Sequence, residues 1–184
     1  GGCDVVFQMG TAKYGVRTPE GQLDDDQLRT VAAHDAVKMF EIKLAQGAKP
    51  GKGGILPAAK ITDEIAKIRG IKAGTDSISP NRHDGVDDFE DLLDMIAHIR
   101  DVTGKPVGIK TVAGASGPFV ELFNAILTRG ANSAPDFITI DGGEGGTGAA
   151  PMPLMDLVGM PVREALPMVS TLRDAAGLKD RIRL

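Results

Sequence analysis

The sequence predicts an α/β protein built on a parallel sheet, and three observations predict it. Short, near-continuously apolar runs alternate with segments of helical periodicity. Glycine and proline close most of these segments. Polar residues gather just after one apolar run and then the next, as they do where a parallel sheet carries a ligand at its C-terminal edge.

Val5 to Met9 reads as a buried strand before Gly10-Thr11. Asp24-Asp25-Asp26 places acids in the first turn of a helix running over Gln27 to Ala36. Val37 to Leu44 is the next strand, followed by a loop through Gly47, Pro50, Gly51, Gly53 and Gly54. Thr62, with Asp63 and Glu64 behind it, caps a short helix to Arg69. Asp76 to Ser79 is a brief strand. Phe89, Leu92, Leu93, Ile96 and Ile99 mark a helix over Asp88 to Val102, stopped by Gly104. Val107 to Val112 is a strand, and Phe119 to Leu127 mark a helix ended by Gly130. Asp136 to Asp141 is the following strand, leading into the glycine-rich loop Gly142 to Gly148. Val162 to Leu172 form a last helix, where Pro167 predicts a kink or a later start. Arg181 to Leu184 reads as the start of a further strand. The units recur every ~30–40 residues, which leaves a (β/α)8 barrel or a doubly wound sheet. A full barrel takes about 250 residues and eight strands. The expectation is therefore an incomplete TIM barrel, and ends that lie in core elements suggest a fragment.

Composition narrows the function. Glycine supplies 24 of 184 residues, roughly 13% against a usual ~7%. A hydrophobic content of 42% excludes a low-complexity coil. A net charge of −4 offers no basic field for nucleic acid. No apolar run reaches the ~18 residues needed to cross a bilayer. Cys3 is the sole cysteine, so no disulfide or CxxC motif exists within the chain, and a reducing, cytoplasmic setting is expected. Cys3 itself is expected to be buried. The Gly142–Gly148 loop matches neither GxxxxGK[ST] nor GxGxxG followed by a helix. Lys43 and Lys110 stand on strands where a bland core has Val or Ile. A single such lysine is most simply a rim ion pair. Two of them, with two glycine-rich loops at corresponding strand ends, point to an anionic, flat ligand approached closely by backbone.

The segments Glu41-Ile42-Lys43-Leu44-Ala45-Gln46-Gly47-Ala48-Lys49-Pro50-Gly51 and Phe137 to Pro151 (FITIDGGEGGTGAAP) resemble the synthase-domain signature of glutamate synthases. Phe7 to Thr11, Ile78 to His83 and Pro106 to Lys110 fit beside them in the family's order. Ser79-Pro80-Asn81-Arg82-His83 looks like the short relatives that carry only the FMN domain.

The resemblance implies a (β/α)8 barrel holding FMN beside a 3Fe-4S cluster, with residues 1–184 a partial FMN-binding domain covering strands two to six and entering seven. The cluster ligands then lie outside this chain. The implied reaction is reductive formation of L-glutamate from 2-oxoglutarate through 2-iminoglutarate. Its electron donor is open, and a glutaminase domain or subunit is a possible nitrogen source. Membrane association through further segments also stays open. Matched to the family, Gln8, Gln46, Lys110, Gly142 and Gly143 look like flavin contacts, with Lys110 near the charge of the reduced ring. Lys43 and Lys49 look like the catalytic pair facing the keto or imino acid, and Arg69 and Glu90 like further substrate contacts. His83 matches a family histidine, here read as structural. Another FMN barrel oxidoreductase acting on a 2-oxo or 2-hydroxy acid, or an inert isolated fragment, are the competing readings.

Overall fold

The computed structural model describes residues 2–144, 146, 148 and 150–184. Gly145, Thr147 and Ala149 of the second glycine-rich motif lie outside the described residues. Apolar runs form β1 (Val5–Met9), β2 (Val37–Lys43), β5 (Val107–Val112) and β6 (Ile138–Asp141). These pair in the order β1-β2-β5-β6, all parallel. Arg183 bridges to Phe137 in parallel, beginning the next position in the sheet. The helices are α1 (Asp25–Ala32), α2 (Asp63–Arg69), α3 (Phe89–Thr103), α4 (Gly117–Arg129), α5 (Met152–Leu157) and α6 (Val162–Ala175). The remaining strands, β3 (Ile55–Leu56) and β4 (Ser77–Ile78), pair antiparallel in a ladder of their own. The predicted strand at Asp76 to Ser79 thus exists but does not join the main sheet. That sheet, four parallel strands with helical crossovers, is a sector of a (β/α)8 barrel.

Local chemistry sets the helix ends. The Asp24 carboxylate accepts from the N–H groups of Asp26 and Gln27 and caps α1. Thr62 caps α2 through Ile65 N–H, and Gly70 ends it at φ 63°. Asp88 caps α3 and Gly104 closes it at φ 65°. The last helix begins at Val162 and carries Pro167 inside it, so the later start does not occur. Cys3 is exposed, against expectation, because it precedes the edge strand β1. Among the described residues, no helix is long and apolar enough to cross a membrane.

Register divides the sheet into two chemically distinct faces. Met9, Ile42, Ile109 and Ile138 are register partners in turn across the four strands, and all are buried in the core. Leu92, Leu93, Ile96 and Ile99 of α3, and Phe119, Leu122, Phe123 and Ile126 of α4, fill the same core. Side chains alternate along a strand. One position away from each isoleucine, the other face therefore carries Gln8, Glu41, Lys43, Lys110, Thr139 and Asp141. Gly108 belongs to this face because the Phe137 ring covers it, and a Cβ there would lie 2.4 Å from that ring.

The N-terminal end of the sheet is a structural pole. Asp136 accepts from Val107 N–H at 2.8 Å, Arg181 at 2.8 Å and Arg100 at 3.0 Å. Burial tends to raise its pKa. The Val107 N–H and the two guanidinium groups outweigh that and hold it below the ordinary carboxylate range. Conserving stability is the usual task of this end of a barrel.

Candidate functional site

The C-terminal ends of β1 and β2, with the loops beyond β2 and β4, enclose a cavity of about 180 Å³. Gly10 and Thr11 border it from the β1 side, Lys43, Gln46 and Lys49 from the β2 side, and Ser79 to Asn81 from the loop after β4. The volume lies below the ~300–1,000 Å³ usual for a drug- or cofactor-sized ligand and suits a small acid. A Cβ on Gly10 would meet nothing within 4 Å, so the backbone there is open to a ligand.

The cavity is electropositive. Lys43 Nζ donates to Gln46 Oε1 at 3.2 Å. Lys110, the register partner of Lys43, lies 3.5 Å from Asp141. Among the described residues, neither Lys43 nor Lys49 is within ion-pair distance of a carboxylate. Burial pushes the Lys43 ammonium below the usual lysine range. Lys110 and then Lys49 push it further, and Asp141 and Glu41 only partly oppose them. Three ammonium groups toward one end of the sheet, from β2, the loop after it and β5, favour an anion, above all one with more than a single negative charge.

Beneath this cluster lies His83, 2% exposed. Its Nε2–H donates to the Lys43 carbonyl at 3.0 Å, since a carbonyl only accepts. Nδ1 has no partner among the described residues. Burial pushes His83 down to about 4, the hydrogen bond to Lys43 opposes this, and the Lys13 charge adds to it. Lys13 is itself buried and holds φ 54°, a left-handed conformation rare outside glycine. Burial lowers its pKa, which Asp84 opposes and Arg17 reinforces.

The two glycine-rich loops pack on each other. A Cβ on Gly47 would sit 1.8 Å from the Gly142 carbonyl oxygen, and one on Gly143 would sit 2.3 Å from the Gly159 oxygen. Gly47 N–H donates to Asp141 at 2.8 Å and Gly143 N–H to the Met160 carbonyl at 2.8 Å. Backbone proximity was expected here toward a ligand. At Gly47, Gly142 and Gly143 the space that glycine leaves is filled by the chain itself. Glu144 accepts from Val162 N–H at 2.8 Å and so caps α6.

Gln8, Lys43, Lys110 and, through the cavity, Gln46 and Lys49 are thus brought to one face and one end of the sheet. Arg69 and Glu90 are not. Arg69 stacks 4.9 Å from the Tyr14 ring centre and donates to Ser77 Oγ at 3.2 Å. Glu90 sits in the first turn of α3 and pairs with Arg129 of α4 at 3.6 Å, in the helical layer. Sequence reasoning missed Glu41 and Asp141. Glu41, only 8% exposed, accepts from Gln8 Nε2 at 2.6 Å and from Thr139 Oγ1 at 2.6 Å. A charged residue amid VKMFEIK was the available signal.

The model of the conserved region in glutamate synthase matches residues 2–184. A glutamate synthase large subunit-like protein of Bacillus subtilis is 43% identical over 184 residues, covering 100% of this chain and 34% of that protein. An archaeal glutamate synthase [NADPH] of Methanocaldococcus jannaschii is 40% identical over 180 residues, 97% of this chain and 32% of that protein. Ferredoxin-dependent glutamate synthase 1 of Arabidopsis thaliana, chloroplastic/mitochondrial, is 34% identical over 178 residues, 96% of this chain and 10% of that protein. The chain spans about a third of the length of the microbial relatives and a tenth of the plant one, so the higher identities are to the shorter proteins. On the match across residues 2–184, the chain belongs to the glutamate synthase family.

Proposed function

We propose that residues 1–184 are the flavin- and keto-acid-facing sector of an FMN-dependent oxidoreductase barrel that forms L-glutamate from 2-oxoglutarate. The observation that supports this best is the pair Lys43 and Lys49 lining a cavity of small-acid size, with the Lys110 charge close enough to act on Lys43. A dicarboxylate relieves the mutual repulsion of these ammonium groups, and it returns the Lys43 pKa toward its ordinary range. The donor set also fits FMN. One sheet face offers the Gln8 amide and two ammonium groups to a planar ring that becomes anionic on reduction.

In this reading Lys43 and Lys49 bind the carboxylates of 2-oxoglutarate or 2-iminoglutarate and hold the C2 centre. Gln46, bonded to Lys43, fixes the ammonium and faces the ring with Gln8. Lys110 favours negative charge on the reduced ring, with Asp141 restraining its position. Gly142 and Gly143 present backbone beside it. FMN, when bound, supplies the hydride for the imine carbon, and a 3Fe-4S cluster held by residues outside this chain relays electrons to it. Arg69 and Glu90 contact the substrate only if they leave Tyr14 and Arg129. The electron donor and a glutaminase domain or subunit belong to the whole protein.

The test is purification of the full-length protein under anaerobic conditions, with dithionite-reduced methyl viologen as donor. Glutamate should form from 2-oxoglutarate with ammonia or glutamine. A flavin-loaded protein that makes no glutamate with either nitrogen source, and that binds no 2-oxoglutarate, defeats the proposal.

A further inference from the structure

The carboxylate of Glu41 is the one buried acid on the polar face of the sheet among the described residues, and both of its oxygens are occupied. One accepts from Gln8 on the neighbouring strand. The other accepts from Thr139, across β5 and 98 residues away in sequence. Gly108, the register partner of Glu41 on β5, brings no side chain of its own between Glu41 and β6, and the Phe137 ring of β6 packs over it. An ionised carboxylate only accepts hydrogen bonds. A primary amide beside it must therefore turn its NH₂ inward, which settles an orientation that a free glutamine leaves open. One N–H of Gln8 Nε2 donates to Glu41, which turns Oε1 away from the carboxylate. Gln8 is otherwise exposed on β1 and no other partner holds it among the described residues.

We propose that Glu41 is a positioning residue that locks the Gln8 amide with its carbonyl oxygen outward, so that Gln8 meets the bound cofactor as a hydrogen-bond acceptor. The inference rests on the flavin reading above. The ring of oxidised flavin carries a single N–H, at N3, so an outward acceptor recognises that group. Thr139 holds the far oxygen of Glu41 and makes the lock rigid.

The experiment compares dissociation constants of FMN and 3-methyl-FMN with the apo form of the full-length protein, read by flavin fluorescence quenching without turnover. Methylation removes the N3 hydrogen. The wild type should bind FMN roughly tenfold more tightly than the methylated ring, the worth of one hydrogen bond. Glu41→Gln lets the Gln8 amide turn over, and the preference should shrink to twofold or less. Thr139→Val leaves Glu41 in place without its second anchor, and an intermediate preference is expected. Gln8→Met, at an exposed position that does not threaten folding, should abolish the preference. An unchanged tenfold preference in folded Glu41→Gln overturns the proposal, as does its full retention in Thr139→Val if the first variant fails to fold. A wild type that binds both flavins equally also overturns it. A wild type that binds neither removes the flavin reading itself.

Discussion

The two ends of the parallel sheet treat charge in opposite ways. At the N-terminal end Asp136 meets Arg100, Arg181 and the Val107 N–H, so every charge has a partner. At the C-terminal end Lys43, Lys49 and Lys110 gather with Asp141 as their nearest acid, already shared with Gly47 N–H. Paired charges stabilise the fold without a ligand. Crowded like charges cost stability that a bound anion would restore, and that asymmetry marks one end as scaffold and the other as the candidate site.

Removing the hub of the paired end should have the largest effect. Asp136→Ala takes the acceptor from a buried N–H and the shared carboxylate from two guanidinium groups, which keep only backbone carbonyls, and about 3–5 kcal/mol of stability should be lost in urea denaturation. A loss below 1 kcal/mol would mean that this end is no scaffold.

Acid should come next, through His83. Its folded pKa of about 4 lies below the 6.5 of the unfolded chain, so the unfolded state takes up the proton first as pH falls. Stability is unaffected by this group above pH 6.5 and declines between pH 6.5 and 4, by about 3 kcal/mol in all. His83→Asn should flatten that part of the urea midpoint against pH. An unaltered slope would show that the imidazole is not the group responsible.

Lys43→Met separates the two ends most sharply. Stability should hold or rise slightly, since repulsion from Lys110 and Lys49 is relieved, while 2-oxoglutarate affinity by calorimetry falls roughly 10- to 150-fold. Affinity in the unaltered protein should weaken as pH rises, beginning below the usual lysine range because the free Lys43 pKa is lowered. Equal losses of stability and affinity would erase the distinction.

Lys110→Met should also change stability little, within about 1 kcal/mol because its pair with Asp141 is partly exposed. The flavin midpoint potential should nonetheless fall in spectroelectrochemical titration. An unchanged potential would remove Lys110 from the ring's charge.

Much of this arrangement was legible in the sequence where the signal is local. The apolar runs, the caps at Asp24, Thr62 and Asp88, the stops at Gly70 and Gly104, and lysines standing on strands depend on residues within a turn or a strand of one another. Glu41 was not legible, because its partners lie 33 and 98 positions away and only register sets them opposite it. Glycine misled for the same reason. Gly47 and Gly142 read as room for a ligand, yet Gly47 leaves room for the Gly142 backbone and Gly142 for the Glu144 side chain and the start of α6.

The sequence by itself determined the class of fold, the family and the presence of lysines at strand ends, since periodicity, motif and residue type are properties of the chain in order. Only the tertiary structure decided that Ser77–Ile78 leaves the main sheet, that Glu90 turns to Arg129, and that Glu41 bridges Gln8 to Thr139. Strand register and loop packing are long-range outcomes. A shift of one residue exchanges the two faces of a strand, so which polar groups meet is fixed only when the strands are side by side.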